Sequence, residues 1–224
     1  MSLPHGVHAL SQTVAQADRE VTIHPAAVET DRGLLLLDAG YPGEADQMES
    51  TLRDEGFGWD DVWAVLVTHQ DGDHAGGLRE VVDRSGAFVA AHHACAPYVD
   101  GREDPIKGTG DRYPPVPVDV ELVDRVTFRT AAGPMRIVFT PGHAPGHVAL
   151  HFPEAGFLVA ADALTAQDGA LAGPSERFTP DMAKAADSVG VLAGLDFDRT
   201  LCYHGGLVDD GAKAAADIHD SLVE

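Results

Sequence analysis

Cysteine and long apolar runs are scarce in this sequence of 224 residues. Its two cysteines, Cys95 and Cys202, are too few for a disulfide scaffold and too far apart for a CxxC metal or redox pair. No apolar run approaches the roughly 20 residues of a membrane-spanning helix, and the first residues show neither the basic start nor the apolar segment of a secretory signal. We therefore expect a cytoplasmic, soluble protein with both cysteines buried as small hydrophobic side chains.

Basic residues are also scarce, because 36 Asp and Glu face only 15 Lys and Arg and the formal net charge is −21. Such a field repels phosphate groups and argues against nucleic acid or an anionic membrane as partner, which leaves a small-molecule substrate as the expected partner. Abundant Asp with only three lysines resembles proteins of salt-loving organisms, in which concentrated ions screen self-repulsion. Equal stability in dilute buffer and in molar salt would exclude this halophile hypothesis.

The order of apolar runs and turn signals predicts the fold. The hydrophobic content of 44% and the length suit one domain spanning residues 1–224. Two runs of strands are each followed by helical patterns, so the sequence predicts an α/β (α+β) fold, a four-layer αββα sandwich of two mixed β-sheets with outer helices. "REVTIHPAAVET" and "LLLLDAG" read as one hairpin, and the proline-rich segment 102–119 reads as a long surface loop bordering a pocket.

The stretch "VTHQDGDHAGG" places two histidines and two aspartates in six positions, where an apolar strand hands over to a helix. Three further polar residues interrupt apolar strands at their ends, in "TPGHAPGH", "VAADAL" and "CYHGG". A single histidine or aspartate after a strand is usually a loop residue or a turn cap. Seven such groups together favour metal binding, because burying them unpaired is costly. The candidate metal ligands are His69, Asp71, Asp73, His74, His143, Asp162 and His204.

These segments resemble the metallo-β-lactamase fold superfamily, whose signature is HxHxDH followed by a distant His, Asp and His. The resemblance covers nearly the whole chain, from "LLLLDAG" to "CYHGG". The chain is also similar to a group of small bacterial and archaeal members with "THQD.DH" and "CYHGGL" segments. It departs from the superfamily pattern at Asp71, where the second histidine of the motif usually stands.

The resemblance implies two divalent metal ions. His69, Asp71 and His143 would hold the first ion, Asp73, His74 and His204 the second, and Asp162 would bridge them. Zinc is the expected metal, with iron or manganese as alternatives because a carboxylate hardens the first site. A water between two cations loses its proton near neutral pH and can attack an ester, lactone, thioester or amide carbonyl, with Asp73 and Asp162 as the catalytic residues.

Alternative functions stay open at this point. Some members of the fold that resemble this chain at Asp71 bind a di-iron centre for redox chemistry, but with an added flavin domain for which the chain has no room. A metal with a purely structural role is a third possibility. Lactonase members carry a tyrosine after the bridging aspartate, where this chain has Thr165. Hydroxyacylglutathione hydrolases carry a C-terminal helical domain, whereas about twenty residues follow His204.

Other side chains are secondary candidates. His147 is expected either to support a metal ligand through a hydrogen bond or to be a half-exposed strand histidine. Tyr203 is expected to point away from the metal side, because it precedes His204 in a strand. Arg177 and Phe178 are expected to line the pocket, and the pair His92 and His93 lies at most beside it.

Overall fold

The computed structural model describes residues 2–16, 19–107 and 112–224. Residues 108–111 of the predicted loop, and residues 1, 17 and 18 of the predicted domain, lie outside the described residues. The described strands are β1 (Val7–Ala9), β2 (Gln12–Gln16), β3 (Arg19–Ile23), β4 (Ala26–Thr30), β5 (Gly33–Leu37), β6 (Val62–Val67), β7 (Phe88–His92), β8 (Val120–Leu122), β9 (Thr127–Thr130), β10 (Gly133–Phe139), β11 (Val148–Phe152), β12 (Phe157–Ala161), β13 (Thr165–Gln167), β14 (Ala170–Ala172), β15 (Arg199–Cys202) and β16 (Gly206–Val208). The helices are α1 (Ala45–Asp54), α2 (Gly72–Ala75), α3 (Leu78–Ser85), α4 (Ala96–Val99), α5 (Met182–Ala193) and α6 (Ala212–Val223), with a 3-10 turn at Trp59–Asp61.

Two six-stranded sheets form the centre of the fold. The first has the order β1-β4-β5-β6-β7-β8 and the second β16-β15-β12-β11-β10-β9. Both are mixed, since β5, β6, β7 and β8 run parallel while β4 and β5 are antiparallel, and β12 pairs parallel with β15 but antiparallel with β11. The hairpins β2-β3 and β13-β14 form two further, two-stranded sheets.

Alternation along the strands divides the core into three apolar layers. In β5, Leu35 and Leu37 face the second sheet, while Leu34 and Leu36 face the layer beneath α1 and α3. A third layer lies between the second sheet and helices α5 and α6. The order helix, sheet, sheet, helix confirms the predicted αββα sandwich. Across the described ranges, none of the helices combines the length and apolar character that a membrane span requires.

Three local predictions were wrong or incomplete. "REVTIHPAAVET" is two strands rather than one, because the strand is interrupted at His24 and Pro25. β3 pairs with β2, and β4 pairs with β5. The predicted surface loop 102–119 is partly inside, since Tyr113 and Val116 belong to the core beneath the first sheet. The hairpin β13-β14 was not predicted, although its Asp168-Gly169 turn has a typical hairpin signal.

Candidate metal centre

All seven predicted ligands lie at one edge of the sandwich, where strands of both sheets end. His69 follows β6, and Asp71, Asp73 and His74 lie in or beside α2. The other three follow strands of the second sheet and its connections, namely His143 after β10, Asp162 after β12 and His204 after β15. Strand ends of two facing sheets therefore bring together residues that are far apart in the chain.

Glycines let the polypeptide approach closely around the site. A Cβ at Gly77 would collide with the carbonyl oxygen of Ala39, so the glycine pair after His74 allows α2 to pack against the end of β5. At Gly142 the backbone has φ +132° and a Cβ would collide with the backbone of Ala185 in α5. Both contacts fix the segments that carry histidines of the site.

The ligand atoms form two groups within which all atoms lie within 4.8 Å of one another. We call His69, His143 and Asp162 the first half-site, and Asp73, His74 and His204 the second half-site. The Asp162 carboxylate lies between them: its Oδ2 is 3.3 Å from His143 Nε2 and 3.5 Å from His204 Nε2. Its Oδ1 is 3.3 Å from His74 Nε2. Asp162 is thus placed to contact cations in both half-sites.

Buried polar atoms without partners show that this arrangement fits metal ions. Among the described residues, His69 Nε2, His74 Nε2 and Asp162 Oδ1 are buried and accept or donate no hydrogen bond. Leaving such atoms unsatisfied costs roughly 1–3 kcal/mol each. Two imidazole nitrogens and a carboxylate oxygen aimed at one another are donors that suit a divalent cation such as zinc.

Asp71 lies beside the first half-site. Its Oδ2 is 3.0 Å from His143 Nε2 and 3.5 Å from His69 Nε2, while its Oδ1 is buried with no hydrogen-bond partner in the described part of the chain. Burial opposes its charge, but His69, His143 and Lys107 together hold the pKa of the carboxyl far below its usual range. Asp71 is therefore an anion at neutral pH, and Lys107 Nζ lies 2.5 Å from its Oδ2.

The second half-site is supported by a buried aspartate that sequence reasoning treated only as a strand end. The Asp38 carboxylate accepts hydrogen bonds from the Thr68 backbone N–H (2.7 Å) and hydroxyl (2.7 Å), and lies 2.8 Å from His74 Nδ1. Asp38 has φ +68°, an uncommon backbone conformation for a residue other than glycine. An Asp–His pair of this kind orients a ligating imidazole and raises its basicity.

His147 supports the bridging aspartate. Its Nε2 accepts the backbone N–H of Asp162 at 3.0 Å, and its Nδ1 lies 2.8 Å from Thr140 Oγ1. The ring is fully buried, so the alternative of a half-exposed strand histidine was wrong. Burial and the nearby His69 and His143 lower the pKa of His147, which keeps Nε2 available as an acceptor.

Tyr203 corrects a second prediction. Its ring stacks on His74 with centroids 3.6 Å apart, and its hydroxyl donates to the backbone carbonyl of Asp73 at 2.5 Å. It thus points toward the metal side rather than away from it. Strand alternation ends with Cys202, and the following turn through Gly205 and Gly206, both at positive φ, reorients the chain.

The pKa values of His204 and His74 in the second half-site and of His69 in the first are shifted in opposite directions. Burial alone lowers the pKa of His204, but hydrogen bonds to Asp162 and Asp73 outweigh it and raise that pKa to about 9. Burial also lowers the pKa of His74, yet Asp162, Asp38 and Asp73 raise it well above its usual value. In the first half-site, burial and the neighbouring His74 lower the pKa of His69.

A cavity of about 450 Å³ opens onto both half-sites. It is lined by Arg19, Val21, Tyr41, Asp71, Asp73, His143, Asp162, Thr165, Ala166, Gln167, Ser175, Phe178, His204 and Gly205. Phe178 lines it as expected, whereas Arg177 lies over the Phe178 ring, 5.1 Å from its centroid. His92 and His93 do not line it, and His92 stacks on Phe139. The size suits a small organic molecule.

A family model described as the metallo-beta-lactamase superfamily matches residues 24–204, which include every predicted ligand. The chain belongs to the metallo-beta-lactamase superfamily. Members bind divalent metals, and the superfamily is one of metal-dependent hydrolases. The resemblance predicted from the motifs is thereby confirmed at the level of the family.

Curated relatives are hydrolases by name. The chain is 29% identical to the probable metallo-hydrolase YflN of Bacillus subtilis, over 76% of this chain and 75% of that protein. It is 33% identical to the hydroxyacylglutathione hydrolase of Cupriavidus metallidurans, over 73% of this chain. That match spans 56% of the Cupriavidus protein, and the match to the Cereibacter sphaeroides enzyme spans 34% of its length.

Solved structures of the superfamily share the fold. A metallo-beta-lactamase from Cronobacter sakazakii with a HARLDQ motif superposes with a TM-score of 0.76 at 24% identity, covering 100% of this chain and 95% of that one. A metallo-beta-lactamase family protein from Thermus thermophilus superposes with a TM-score of 0.75 at 20% identity, covering 96% and 79%. These likenesses support the αββα architecture of the chain.

Proposed function

We propose that this chain is a dinuclear metal-dependent hydrolase that cleaves an ester, lactone, thioester or amide bond of a small molecule. The observation that carries the proposal is the position of the Asp162 carboxylate between two groups of metal-ligand atoms, with buried atoms of both groups lacking partners in the described chain. The first cation would be held by His69, His143 and Asp162 with Asp71 beside them, and the second by Asp73, His74, His204 and Asp162.

The metal ions and the side chains would contribute different parts of the catalysis. Two divalent ions, when bound, supply Lewis acidity for a carbonyl and lower the pKa of water so that a nucleophile forms near neutral pH. Asp73 lines the cavity, which supports a role for its carboxylate in orienting the attacking water. Asp162 would contact both ions, and His147 holds Asp162 in place by accepting its backbone N–H.

The remainder of the cavity is available to the substrate. Arg19 and Val21 from β3 and Phe178 from the loop before α5 form its walls beyond the ligands. Thr165 lines it too, but its hydroxyl donates to the Gly173 carbonyl at 3.1 Å, so the hydroxyl is already engaged within the β13-β14 hairpin. This supports a substrate that does not need a hydroxyl donor, such as the tyrosine of lactonase members, at position 165.

Zinc is our first choice of metal, with iron or manganese as alternatives, because imidazoles and carboxylates are mixed in both half-sites. A small-molecule substrate and a cytoplasmic location, without nucleic-acid or membrane partners, are likewise proposed. The charge of −21 supports the exclusion of polyanions.

The test combines metal content with a substrate panel. Protein purified without added metal is analysed for its elements and then assayed with p-nitrophenyl esters, lactones and thioesters, including a hydroxyacyl-glutathione thioester because several relatives carry that enzyme name. We expect about two metal ions per chain and hydrolysis that a chelator abolishes and zinc restores. Asp73→Asn, which keeps size but removes charge, should retain metal better than activity. Bound iron without hydrolysis of any substrate would favour the redox alternative and contradict the proposal.

A further inference from the structure

Lys107 extends from the segment before the undescribed residues 108–111 into the first half-site. Its Nζ lies 2.5 Å from Asp71 Oδ2, 2.8 Å from His143 Nε2 and 3.0 Å from the Phe178 carbonyl oxygen. The side chain is 19% exposed. Of the three lysines, the other two lie on the outer helices, where Lys184 is 65% exposed and Lys213 90% exposed.

The position of Lys107 is fixed by the metal-binding motif itself. The side-chain carbonyl of Gln70, the residue between His69 and Asp71, accepts the backbone N–H of Ile106 at 3.0 Å. The backbone carbonyl of Gln70 accepts the Tyr113 hydroxyl at 2.8 Å. Gln70 and Tyr113 are both buried. The loop is therefore tied to the motif on both sides of Lys107, which explains why an aperiodic segment delivers a cation here.

The Lys107 ammonium contacts the side chains of two predicted metal ligands, Asp71 and His143. A lysine ammonium has three N–H donors and no acceptor, and here it meets one carboxylate, one imidazole nitrogen and one carbonyl. His143 Nε2 must then accept, which leaves its Nδ1 to donate to Thr179 Oγ1 at 3.3 Å. Two acceptor atoms, Asp71 Oδ2 and His143 Nε2, would otherwise repel each other at 3.0 Å. The Lys107 ammonium contacts both acceptors and donates a hydrogen bond to each.

We propose that the Lys107 ammonium competes with the metal ion of the first half-site for the side chains of His143 and Asp71. The proposal rests on the proposed function, because it requires that His143 is a metal ligand. His143 Nε2 has one lone pair, so it cannot accept a hydrogen bond from Lys107 and coordinate a metal ion at the same time. A metal ion binds the first half-site only after the ammonium has left His143. The affinity of the first half-site is thereby reduced relative to a site without the lysine.

The competitor also accounts for the aspartate at the second motif position. A histidine there would add no charge, whereas the Asp71 carboxylate needs a counter-charge when the metal is absent. Lys107 provides that counter-charge, and displacement by a divalent ion exchanges one cation for another. The second half-site has no such lysine: within the described chain, the ion-pair partners of the Asp73 and His204 side chains are each other and Asp162.

Chemical acetylation of the lysines, in the protein without substitutions, tests directly whether zinc displaces the Lys107 ammonium. The metal-free protein and the zinc-loaded protein are treated briefly with an acetylating reagent, and modification of each lysine is quantified by mass spectrometry. We expect Lys107 to react slowly without metal and about tenfold faster with zinc, while Lys184 and Lys213 react at equal rates in both states. Equal protection of Lys107 with and without zinc, when two zinc ions are bound, would overturn the proposal.

Zinc titration calorimetry of variants provides the second measurement. Lys107→Met removes the ammonium but keeps the length of the side chain, and one of the two binding steps should become about tenfold tighter or more. Lys107→Arg retains a cation and should bind zinc as the unmodified chain does, and Lys184→Met is the control for loss of a lysine elsewhere. Unchanged or weaker zinc binding by Lys107→Met would reject competition.

The outcomes separate this inference from the proposed function. If the unmodified chain binds one zinc ion and Lys107→Met binds two, competition is supported in its strongest form. If both bind two ions with identical affinities, the competition is wrong while the dinuclear hydrolase stands. If neither binds zinc, iron or manganese, the proposed function fails and the competition fails with it.

Discussion

The first and second half-sites share Asp162 but are held in place differently. In the first half-site, the hydrogen-bond partners of the Nδ1 atoms within the described ranges are hydroxyls: His69 Nδ1 lies 3.1 Å from Thr68 Oγ1 and His143 Nδ1 lies 3.3 Å from Thr179 Oγ1. In the second, His74 is backed by the buried carboxylate of Asp38. Neutral hydroxyls orient a ring, whereas a carboxylate also raises its basicity. The second half-site is therefore the better prepared for a cation, while the first is held by a lysine.

Replacing Asp162 should break both half-sites at once and gives the largest expected effect. Asp162→Ala removes the carboxylate that lies near His74, His143 and His204. We expect loss of most bound metal and of all measurable turnover, determined by elemental analysis and by the hydrolase assay. Asp162→Asn, which keeps the shape, is the matched variant. Retention of both metal ions and turnover by Asp162→Ala would show that this residue does not bridge.

Replacing Asp38 should weaken the second half-site more than the first, because Asp38 contacts His74 directly and reaches His69 only through the Thr68 hydroxyl. Asp38→Asn keeps the size of the side chain but removes the charge behind His74 Nδ1, and we expect one zinc-binding step to weaken about 10–100-fold. The matched change in the first half-site is Thr179→Val, which removes one neutral hydrogen bond to His143 and should cost about fivefold. Calorimetry on both variants measures the difference. Equal losses would mean that the two half-sites are supported equally.

Tyr203 offers a smaller test of the same support. Tyr203→Phe keeps the ring stacked on His74 but removes the hydroxyl that donates to the Asp73 carbonyl. We expect about 1 kcal/mol less stability and a modest weakening of one zinc-binding step. Tyr203→Leu removes the stacked ring as well and should weaken that step further. If the two variants behave alike, the ring contributes nothing to the placement of His74.

Strand ends explain how much of this site could be predicted from the sequence. Apolar runs such as Leu34–Leu37 indicate strands, and the polar residue after each run lies at the edge where ligands gather, so the family and its sandwich were predictable. Whether each of the seven residues ligates a metal stays a prediction. Their mutual distances follow from the pairing of distant strands such as β12 and β15, which no local pattern contains.

The supporting residues were harder to predict because each lacks a local signal. Lys107 lies in a segment without periodicity, and its role depends on Gln70 holding that segment. Asp38 reads as a turn residue after a strand, and only the structure shows that it faces His74 rather than solvent. Tyr203 was misplaced because strand alternation was extended beyond the last residue of β15. Such positions are set by tertiary contacts rather than by spacing.

The thermal stability of the metal-free protein should depend on pH in opposite directions for the two half-sites. We expect each effect to be a few degrees in Tm. The pKa of His204 is raised to about 9, so its stabilising contribution is complete below about pH 6.5 and is lost as pH rises toward 9. The pKa of His69 is lowered, so its contribution is present above about pH 6.5 and is lost as pH falls below that value. His204→Gln should flatten the alkaline side of a plot of Tm against pH, and His69→Gln the acid side. Because acid loss and alkaline loss arise in different half-sites, a variant that changed both sides equally would show that the histidines titrate as one coupled group.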